Sequence, residues 1–442
     1  MLGRLLKFKP MTTAPPFWRR LLVDIAPLRE SPAYRRTWIG QLISFIGTQM
    51  TMVALPVQVY QLTGSSFAVG LLGAVELLPV LALGLLGGAI VDSADLRRVL
   101  LATSSVLALG SGVLAVQALF GLREIWLLYL AAAFLSAVSA VDSPARSLLA
   151  PRLLPPARIP AASALTHLSL NIGLTGGPLI AGLLIAGFGP GAAYSFDVLS
   201  FGYALYAVVR LGSMRPEGGG TPPSILSIVE GLNWVRRQPI ILMTFLLDFD
   251  AMIFGMPRAL FPALAETHFN GDASTAGLLY ASPAIGALLG GILSGPLARI
   301  RRQGFAVIVS VAIWGVAITG FGLSPYLWLA VLLLGIAGVA DLASAVIRRT
   351  IVQLATPDAM RGRVSGLFII NVTGGPRLGD LEAGTVAALA GATASAWSGG
   401  VLCLLMLGGL VAAFPRFASY SAFRNRPEEA LMPTTKNRAE DR

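Results

Sequence analysis

Long apolar runs alternate with short polar or basic breaks along this chain, and one break is much longer than the others. Residues 211–239 (LGSMRPEGGGTPPSILSIVEGLNWVRRQP) separate two apolar stretches of nearly equal length, about 34–210 and 240–415. A helix that crosses a bilayer needs about 20 mostly apolar residues. That measure predicts twelve spans, at about 37–60, 68–91, 99–119, 125–147, 161–185, 191–210, 240–264, 274–297, 304–323, 326–347, 364–388 and 395–414. The expected organisation is an N-terminal segment 1–36, a six-helix half 37–210, a linker 211–239, a second six-helix half 240–414 and a tail 415–442. Within the linker, 212–223 is rich in Gly and Pro and reads as flexible chain. After it, Ile225, Ile228, Val229 and Leu232 recur at i, i+3, i+4, i+7, with Ser227, Glu230, Asn233 and Arg236 on the other faces. This spacing predicts a short amphipathic helix lying along the membrane surface or the underside of the protein.

Composition turns the pattern into a class. The 442 residues are 55% hydrophobic and 12% charged, against about 25% charged in soluble domains. An all-α integral membrane protein follows. Cys403 is the one cysteine, so an internal disulfide is impossible, and His167 and His268 lie far apart without metal-ligand spacing. No metal and no cofactor are expected. The first 35 or so residues are polar and basic, the wrong shape for a cleaved leader. There is no Gly-x-x-x-x-Gly-Lys-Ser/Thr phosphate loop, which argues against ATP drive, and no nucleophile–base constellation, which argues against an enzyme.

The formal net charge of +11 would suit nucleic acid, but its placement points elsewhere. All of the 33 Lys and Arg except Arg123, Arg258 and Arg377 fall in the N-terminal segment, in alternate connections or in the tail. Cationic connections stay cytoplasmic, so both termini and the linker are expected inside. The basic balance is a topology signal and in part a contact with anionic lipid; nucleic-acid binding is not needed to explain it.

The halves repeat each other. Thr175-Gly176-Gly177-Pro178 recurs as Thr373-Gly374-Gly375-Pro376, each after an Asn (Asn171, Asn371). Phe67–Leu72 (FAVGLL) recurs as Thr275–Leu279 (TAGLL), and Gly87-Gly88 as Gly290-Gly291. The turn after the second span holds Gly88, Asp92, Asp95, Arg97 and Arg98. The fifth span holds Gly173, Gly177, Pro178 and Gly182, where glycines permit close packing and Pro178 removes a backbone donor.

These stretches resemble the major facilitator superfamily. Gly88, Asp92, Arg97 and Arg98 resemble its loop signature, with Ser93 standing where Arg is usual and Asp95 where Gly is usual. The matching second-half loop, 291–299, lacks the Asp. Gly173, Gly177, Pro178 and Gly182 resemble the motif of its proton-coupled exporters. Together with 55–63, 230–239, 260–265 and 356–366, they resemble the bacterial enterobactin-exporter branch, which also holds macrolide and multidrug pumps. The resemblance implies two parallel six-helix halves about a midplane site. It also implies that spans 1, 4, 7 and 10 line a cavity, and that spans 2, 5, 8 and 11 bridge the halves. Export by proton antiport is the implied activity, from a bacterial inner membrane, by a monomer. A siderophore or similar metabolite is the implied cargo. The alternatives are a multidrug or macrolide pump, for which Met50, Met52, Met252 and Met256 would form a pliable pocket, and a receptor or scaffold without transport.

An ionised residue at a span's centre costs roughly 2.5–3.5 kcal/mol on insertion scales, so each is a functional candidate. The deep ones are Glu76, Asp248, Asp250, Arg258, Asp341, Arg377, Asp380 and Glu382; Asp142 and Asp197 lie nearer span ends. Arg377 and Asp380, three apart, share a face and can neutralise each other. Asp248 and Asp250, two apart, point to opposite sides, so at most one faces a central cavity. Glu76 would meet Arg377 if spans 2 and 11 adjoin. One of Asp248, Asp250, Asp380 or Glu382 is expected to carry a coupling proton, loaded where burial dominates and released where an Arg approaches.

Overall fold

A computed structural model describes residues 24–215, 225–292, 295 and 300–421; the side chains at 85, 86, 88, 89, 92, 225–228 and 359 are outside that description. Twelve long helices account for most of it. They are α1 (Pro32–Thr63), α2 (Ser66–Ser93), α3 (Leu96–Leu119), α4 (Ile125–Ser147), α5 (Ile159–Phe188) and α6 (Pro190–Val209), then α7 (Pro239–Ile253), α8 (Ala273–Ile292), α9 (Gln303–Leu323), α10 (Leu327–Ala355), α11 (Asp358–Ala390) and α12 (Ala392–Ala413). No strand occurs among the described residues. Eleven of these, with α7 taken together with the turns that follow it to His268, are long and apolar enough to cross a membrane. The exception is α11, whose 33 residues include Arg377, Asp380 and Glu382. Arg377 and Asp380 pair with groups from elsewhere in the fold, so α11 fails an apolarity test while packing on α2, α7 and α12 like the other long helices.

Local chemistry sets the turns. Ser31 caps α1 through the Tyr34 amide at 3.2 Å, with Pro32 in the first turn. Gly64, at φ 61°, ends α1, and Ser65 caps α2 by accepting from the Ala68 amide at 3.3 Å. Single glycines with positive φ, Gly189 and Gly391, join α5 to α6 and α11 to α12. They hold corresponding places in the two halves.

The same packing pairs recur in both halves. In the first, α1 meets α5 and α6, α2 meets α4, and α3 meets α4 and α6; in the second, α7 meets α11 and α12, α8 meets α10, and α9 meets α10 and α12. The halves then join through α2 against α11 and α5 against α8. Glycine makes both joints. A Cβ on Gly70 would collide with the Asp380 carbonyl and lie 3.0 Å from Gly384 Cα; one on Gly182 would lie 2.8 Å from the Ala273 carbonyl and 3.1 Å from Gly277 Cα. Gly70 and Gly277 are the glycines of the FAVGLL and TAGLL repeat. The joints equate Pro178 with Asp380 and Gly182 with Gly384, so the Thr-Gly-Gly-Pro match between α5 and α11 is one helical turn out of register with the packing.

Both joints lie toward the face opposite the one, here the terminal face, on which α1 begins and α12 ends. Along α2 and α11 the contact runs from Gly70 to Leu77, whose Cδ1 is 3.4 Å from the Cβ position of Gly374. Beyond it the helices part: a Cβ on Gly84 or Gly366 would meet nothing within 4 Å, and Leu78 is 72% exposed. The two halves thus form a V that is closed on the far face and open on the terminal face.

One expected span is broken. The seventh, read as a continuous helix over 240–264, stops at Ile253, and Gly255 and Pro257 interrupt it. Short turns follow, Arg258–Leu260, Phe261–Ala263 and the wider Leu264–His268. Pro257 and Pro262 cannot donate into a continuing helix. Arg258 therefore sits at a break, not within a regular helix. The described part of the linker is held at both ends. Asp95 caps α3 through the Arg97 amide at 2.9 Å, and binds the Ser213 hydroxyl and Met214 amide. The helix Ile225–Arg236 grips α11 through Glu230–Arg363 at 2.8 Å.

Overpacking such a joint costs about 1–3 kcal/mol, whereas Gly→Ala in an open helical site gains up to about 1 kcal/mol. Gly182→Ala and Gly384→Ala should therefore lower the thermal unfolding temperature in detergent. Gly176→Ala and Gly84→Ala should leave it unchanged or raise it.

Candidate translocation site

Four charges meet where the closed joint of α2 and α11 gives way to the open one. Glu76 of α2 lies 3.3 Å from Arg377 of α11, one turn below the point where Gly73 rests on the Arg377 carbonyl. Arg258, at the break after α7, reaches Asp380 of α11 at 2.8 Å. Ser136 of α4 donates to the Glu76 carbonyl at 3.0 Å and accepts from Arg377 at 3.4 Å. Arg377 also donates to the Thr373 carbonyl at 2.8 Å, and Tyr280 of α8 holds the Arg258 carbonyl at 2.9 Å. The formal charges sum to zero, which a low-dielectric site requires. The four side chains are half-buried. Glu76–Arg377 crosses between the halves, while Arg258–Asp380 stays within the second.

The expectation that Arg377 and Asp380 neutralise each other is corrected here. They share a face of α11, but each pairs with another helix, because the break after α7 brings Arg258 to Asp380 and leaves Arg377 for Glu76. The meeting of Glu76 with Arg377 is present in the geometry.

The other carboxyls are placed away from this cluster. Asp248 is sealed inside the second half, with Arg348 of α10 at 2.6 Å and the Asn371 amide of α11 at 2.6 Å. Asp250, also buried, has the Cys403 thiol of α12 at 3.7 Å. Neither faces an inter-half cavity. Asp341 is half-buried, two turns before Arg348 on one face of α10. Glu382 is half-buried and has no ion pair among the described residues; it shares the α11 face of Gly375 and Gly379, which packs on Met252. Asp142 binds Thr103 at 2.6 Å and pairs with Arg146. Asp197 accepts from Thr51 at 2.8 Å and Ser111 at 2.7 Å, a hydroxyl set that ties α6 to α1 and α3.

Other sequence candidates resolve as packing. In α5, a Cβ on Gly173 would strike the Phe45 ring and one on Gly177 the Gln49 side chain, so these glycines seat α5 on α1, while Gly182 seats it on α8. Pro178 lends its carbonyl to that second contact, 2.5 Å from the Cβ position of Gly277. Of the loop signature, the side chains of Gly88 and Asp92 lie outside the described residues. Arg97 donates to the Val209 carbonyl at 2.8 Å, closing the end of α6, and Arg98 is exposed. Asp95, the departure from the signature, is the residue that organises this corner. Its bonds from Ser213 and from backbone amides hold its carboxyl below the usual range. Of the four methionines, Met50 is fully buried in the first half, Met52 is exposed, and Met252 lies under the α11 glycines. An apolar cavity of about 700 Å³ lies apart from the charges, among Leu109, Val113, Val116 and Val198 on α3 and α6. Sequence reasoning passed over Ser136, and it noted Asn371 only as a mark of the repeat and Arg348 only among the connection cations, neither as a partner of Asp248. Arg348 was legible only as a loop cation, and a Ser carries no signal until its neighbour is known.

Comparison with known proteins is consistent with this geometry. The family described as transmembrane secretion effector matches residues 23–438. The enterobactin exporter EntS of Shigella boydii serotype 18 is 28% identical over 392 residues, covering 88% of this chain and 93% of that protein. EntS of Escherichia coli O1:K1 matches to the same extent. Among solved structures, the nucleoside transporter NupG superposes with TM-score 0.68 at 15% identity, covering 88% of this chain and all of that one. A bacterial homologue of the iron transporter ferroportin, in an inward-facing state, gives 0.66 at 16%, covering 88% and 99%. These likenesses in structure establish the fold.

Breaking the buried Asp248–Arg348 pair should cost about 3–5 kcal/mol, since it strands a charge, whereas replacing both by apolar residues is often neutral. Asp248→Leu and Arg348→Leu singly should each lower the unfolding temperature by many degrees. The double variant should recover most of the loss.

Proposed function

The chain belongs to the transmembrane secretion effector family of the major facilitator superfamily, and on that premise we propose that this membrane exporter works as a proton antiporter by alternating access. Its cargo in this reading is a siderophore or similar mid-sized metabolite, as the EntS likeness favours, and its place is a bacterial inner membrane with both termini cytoplasmic. A multidrug or macrolide pump is the second reading.

The observation that carries the proposal is the Glu76–Arg377 pair across the joint. With the termini inside, the V opens to the cytoplasm and this pair is made. Opening the far face requires the Gly70–Gly384 and Gly182–Gly277 contacts to part, and Glu76 to leave Arg377. A carboxylate that loses its cation in an apolar joint favours the neutral form, so Glu76 takes a proton from outside. When the joint closes again, Arg377 returns and the proton leaves toward the cytoplasm, where cargo loads. Arg258–Asp380 keeps the remaining charges balanced within the second half, and Asp380 is the second candidate carrier. A proton moving through 100 mV yields about 2.3 kcal/mol, and each tenfold of accumulation costs about 1.4 kcal/mol, so one proton sustains nearly fiftyfold.

Inside-out vesicles acidified by respiration, with a pH dye inside, test this. A catecholate siderophore, or else a panel of macrolides and cationic drugs, should release protons from wild-type vesicles. Glu76→Gln should abolish the proton release while retaining exchange of cargo across the membrane. Full proton coupling in both Glu76→Gln and Asp380→Asn would rule this cluster out as the carrier.

A further inference from the structure

The apolar cavity of about 700 Å³ beside α3 is built from two helical stripes. Ser105, Leu109, Gly112 and Val116 of α3 follow i, i+4, i+7, i+11, and Val198 and Leu205 of α6 follow i, i+7. The stripes run side by side because α3 packs on α6. Val198 and Leu205 are half-buried and form the floor, while Leu109, 69% exposed, and Val116 form an outer wall. The cavity is thus a groove on the outer flank of the first half; α2 and α5 carry the joints, and α3 and α6 lie away from them. Gly112 deepens it, since a Cβ there would meet nothing within 4 Å. On α9, the counterpart of α3 in the second half, glycines are covered instead. A Cβ on Gly315 would lie 2.8 Å from Leu404 and one on Gly320 3.2 Å from Leu333, and one on Gly322 would strike Trp397.

The length of the groove and its upper end say what fills it. Ser105 to Val116 covers about 17 Å of helix at about 1.5 Å per residue, against about 15 Å for one leaflet of a hydrocarbon layer about 30 Å thick. The groove closes at Leu122 and Leu127, on either side of the α3–α4 turn, which lies on the far face. That turn carries the residues of a membrane–water boundary. Phe120 and Trp126 are exposed, Gly121 at φ 66° reverses the chain, and Arg123 is exposed between the two leucines. The acid beside it, Glu124, is engaged by Trp126, whose Nε1 donates to it at 3.0 Å. An apolar slot one leaflet deep with a cation at its mouth has the shape and charge of a phospholipid, acyl chain in the slot and phosphate on the guanidinium. We propose that the groove between α3 and α6 is a binding site for one phospholipid of the far leaflet, its chain packed on Gly112 and its phosphate paired with Arg123. The lipid then ties α3 to α6 where their own side chains leave a gap.

The test uses the full chain in detergent, stripped of lipid and titrated with phosphatidylglycerol or with diacylglycerol of the same chains. Native mass spectrometry counts the bound copies. Wild type should take up one phosphatidylglycerol well before any further copy. Gly112→Leu, whose added side chain enters the slot, should lose that first copy while the lipid-free protein keeps or raises its unfolding temperature. Arg123→Gln should weaken it about fivefold, and diacylglycerol should bind wild type and Arg123→Gln equally weakly. Added phosphatidylglycerol should raise the unfolding temperature of wild type and not that of Gly112→Leu. Equal uptake by wild type and Gly112→Leu would overturn the proposal, as would a wild type with no preferred first copy. Diacylglycerol bound as tightly as phosphatidylglycerol, with Arg123→Gln unchanged, would overturn the phosphate contact.

Discussion

An ionised side chain inside the hydrocarbon layer must find its opposite, because no water is there to solvate it. That requirement organises the core of this transporter. Of the deep charges in its spans, the structure pairs Glu76 with Arg377, Arg258 with Asp380, and Asp248 with Arg348, a cation the sequence had placed in a loop. Two of these pairs are internal to the second half and fix α7, α10 and α11 to one another. The third joins the halves, at the level where their contact ends. A pair that lies within a half survives a rocking motion, while one that spans the joint is made in one state and broken in the other. In the proposed cycle the same electrostatics gives rigidity in one place and a switch in another.

The two halves share their scaffold and differ in their chemistry. Their packing pairs correspond, both joints use glycine against backbone, and positive-φ glycines mark the same turns. The acids do not correspond. In the first half, α6 supplies Asp197 to hydroxyls on α1 and α3; in the second, α7 supplies Asp250 toward Cys403 of α12. The cations of the cluster, Arg258 and Arg377, both come from the second half, and the first contributes Glu76 and Ser136. This asymmetry fits a division of labour in which one half carries fixed charge and the other approaches and leaves it.

Much of this was legible in the sequence, and the gaps have physical causes. Apolar run length located the twelve long helices, α11 included, although the seventh stops at Ile253 and the charges of α11 pull it below an apolarity threshold. Repeated glycines announced two like halves, but not that Gly70, Gly277, Gly182 and Gly384 are the points where those halves touch, since a glycine's use depends on what faces it. The Thr-Gly-Gly-Pro repeat gave a register one turn from the packing, because local motif and helix contact need not coincide. Helical spacing put Arg377 and Asp380 on one face and suggested they pair; the break at Gly255 and Pro257 supplied Arg258 instead, and partner choice across helices is invisible to spacing within one. The helix expected in the linker is present over Ile225–Arg236, while its Glu230–Arg363 contact with α11 could not be read from spacing within the helix.

The central claim is that the far-face joint and the Glu76–Arg377 pair open together as the terminal face closes. Spin labels read it directly. One pair replaces Phe67 and Leu389, exposed positions at the far ends of α2 and α11; another replaces Ser93 and Arg361 at their terminal ends. Electron–electron distances in vesicles, with a proton gradient and transported cargo, should lengthen for the first pair as they shorten for the second. Glu76→Gln should shift the populations without a gradient. Distances that stay fixed, or that change on both faces in the same sense, would contradict alternating access through this joint.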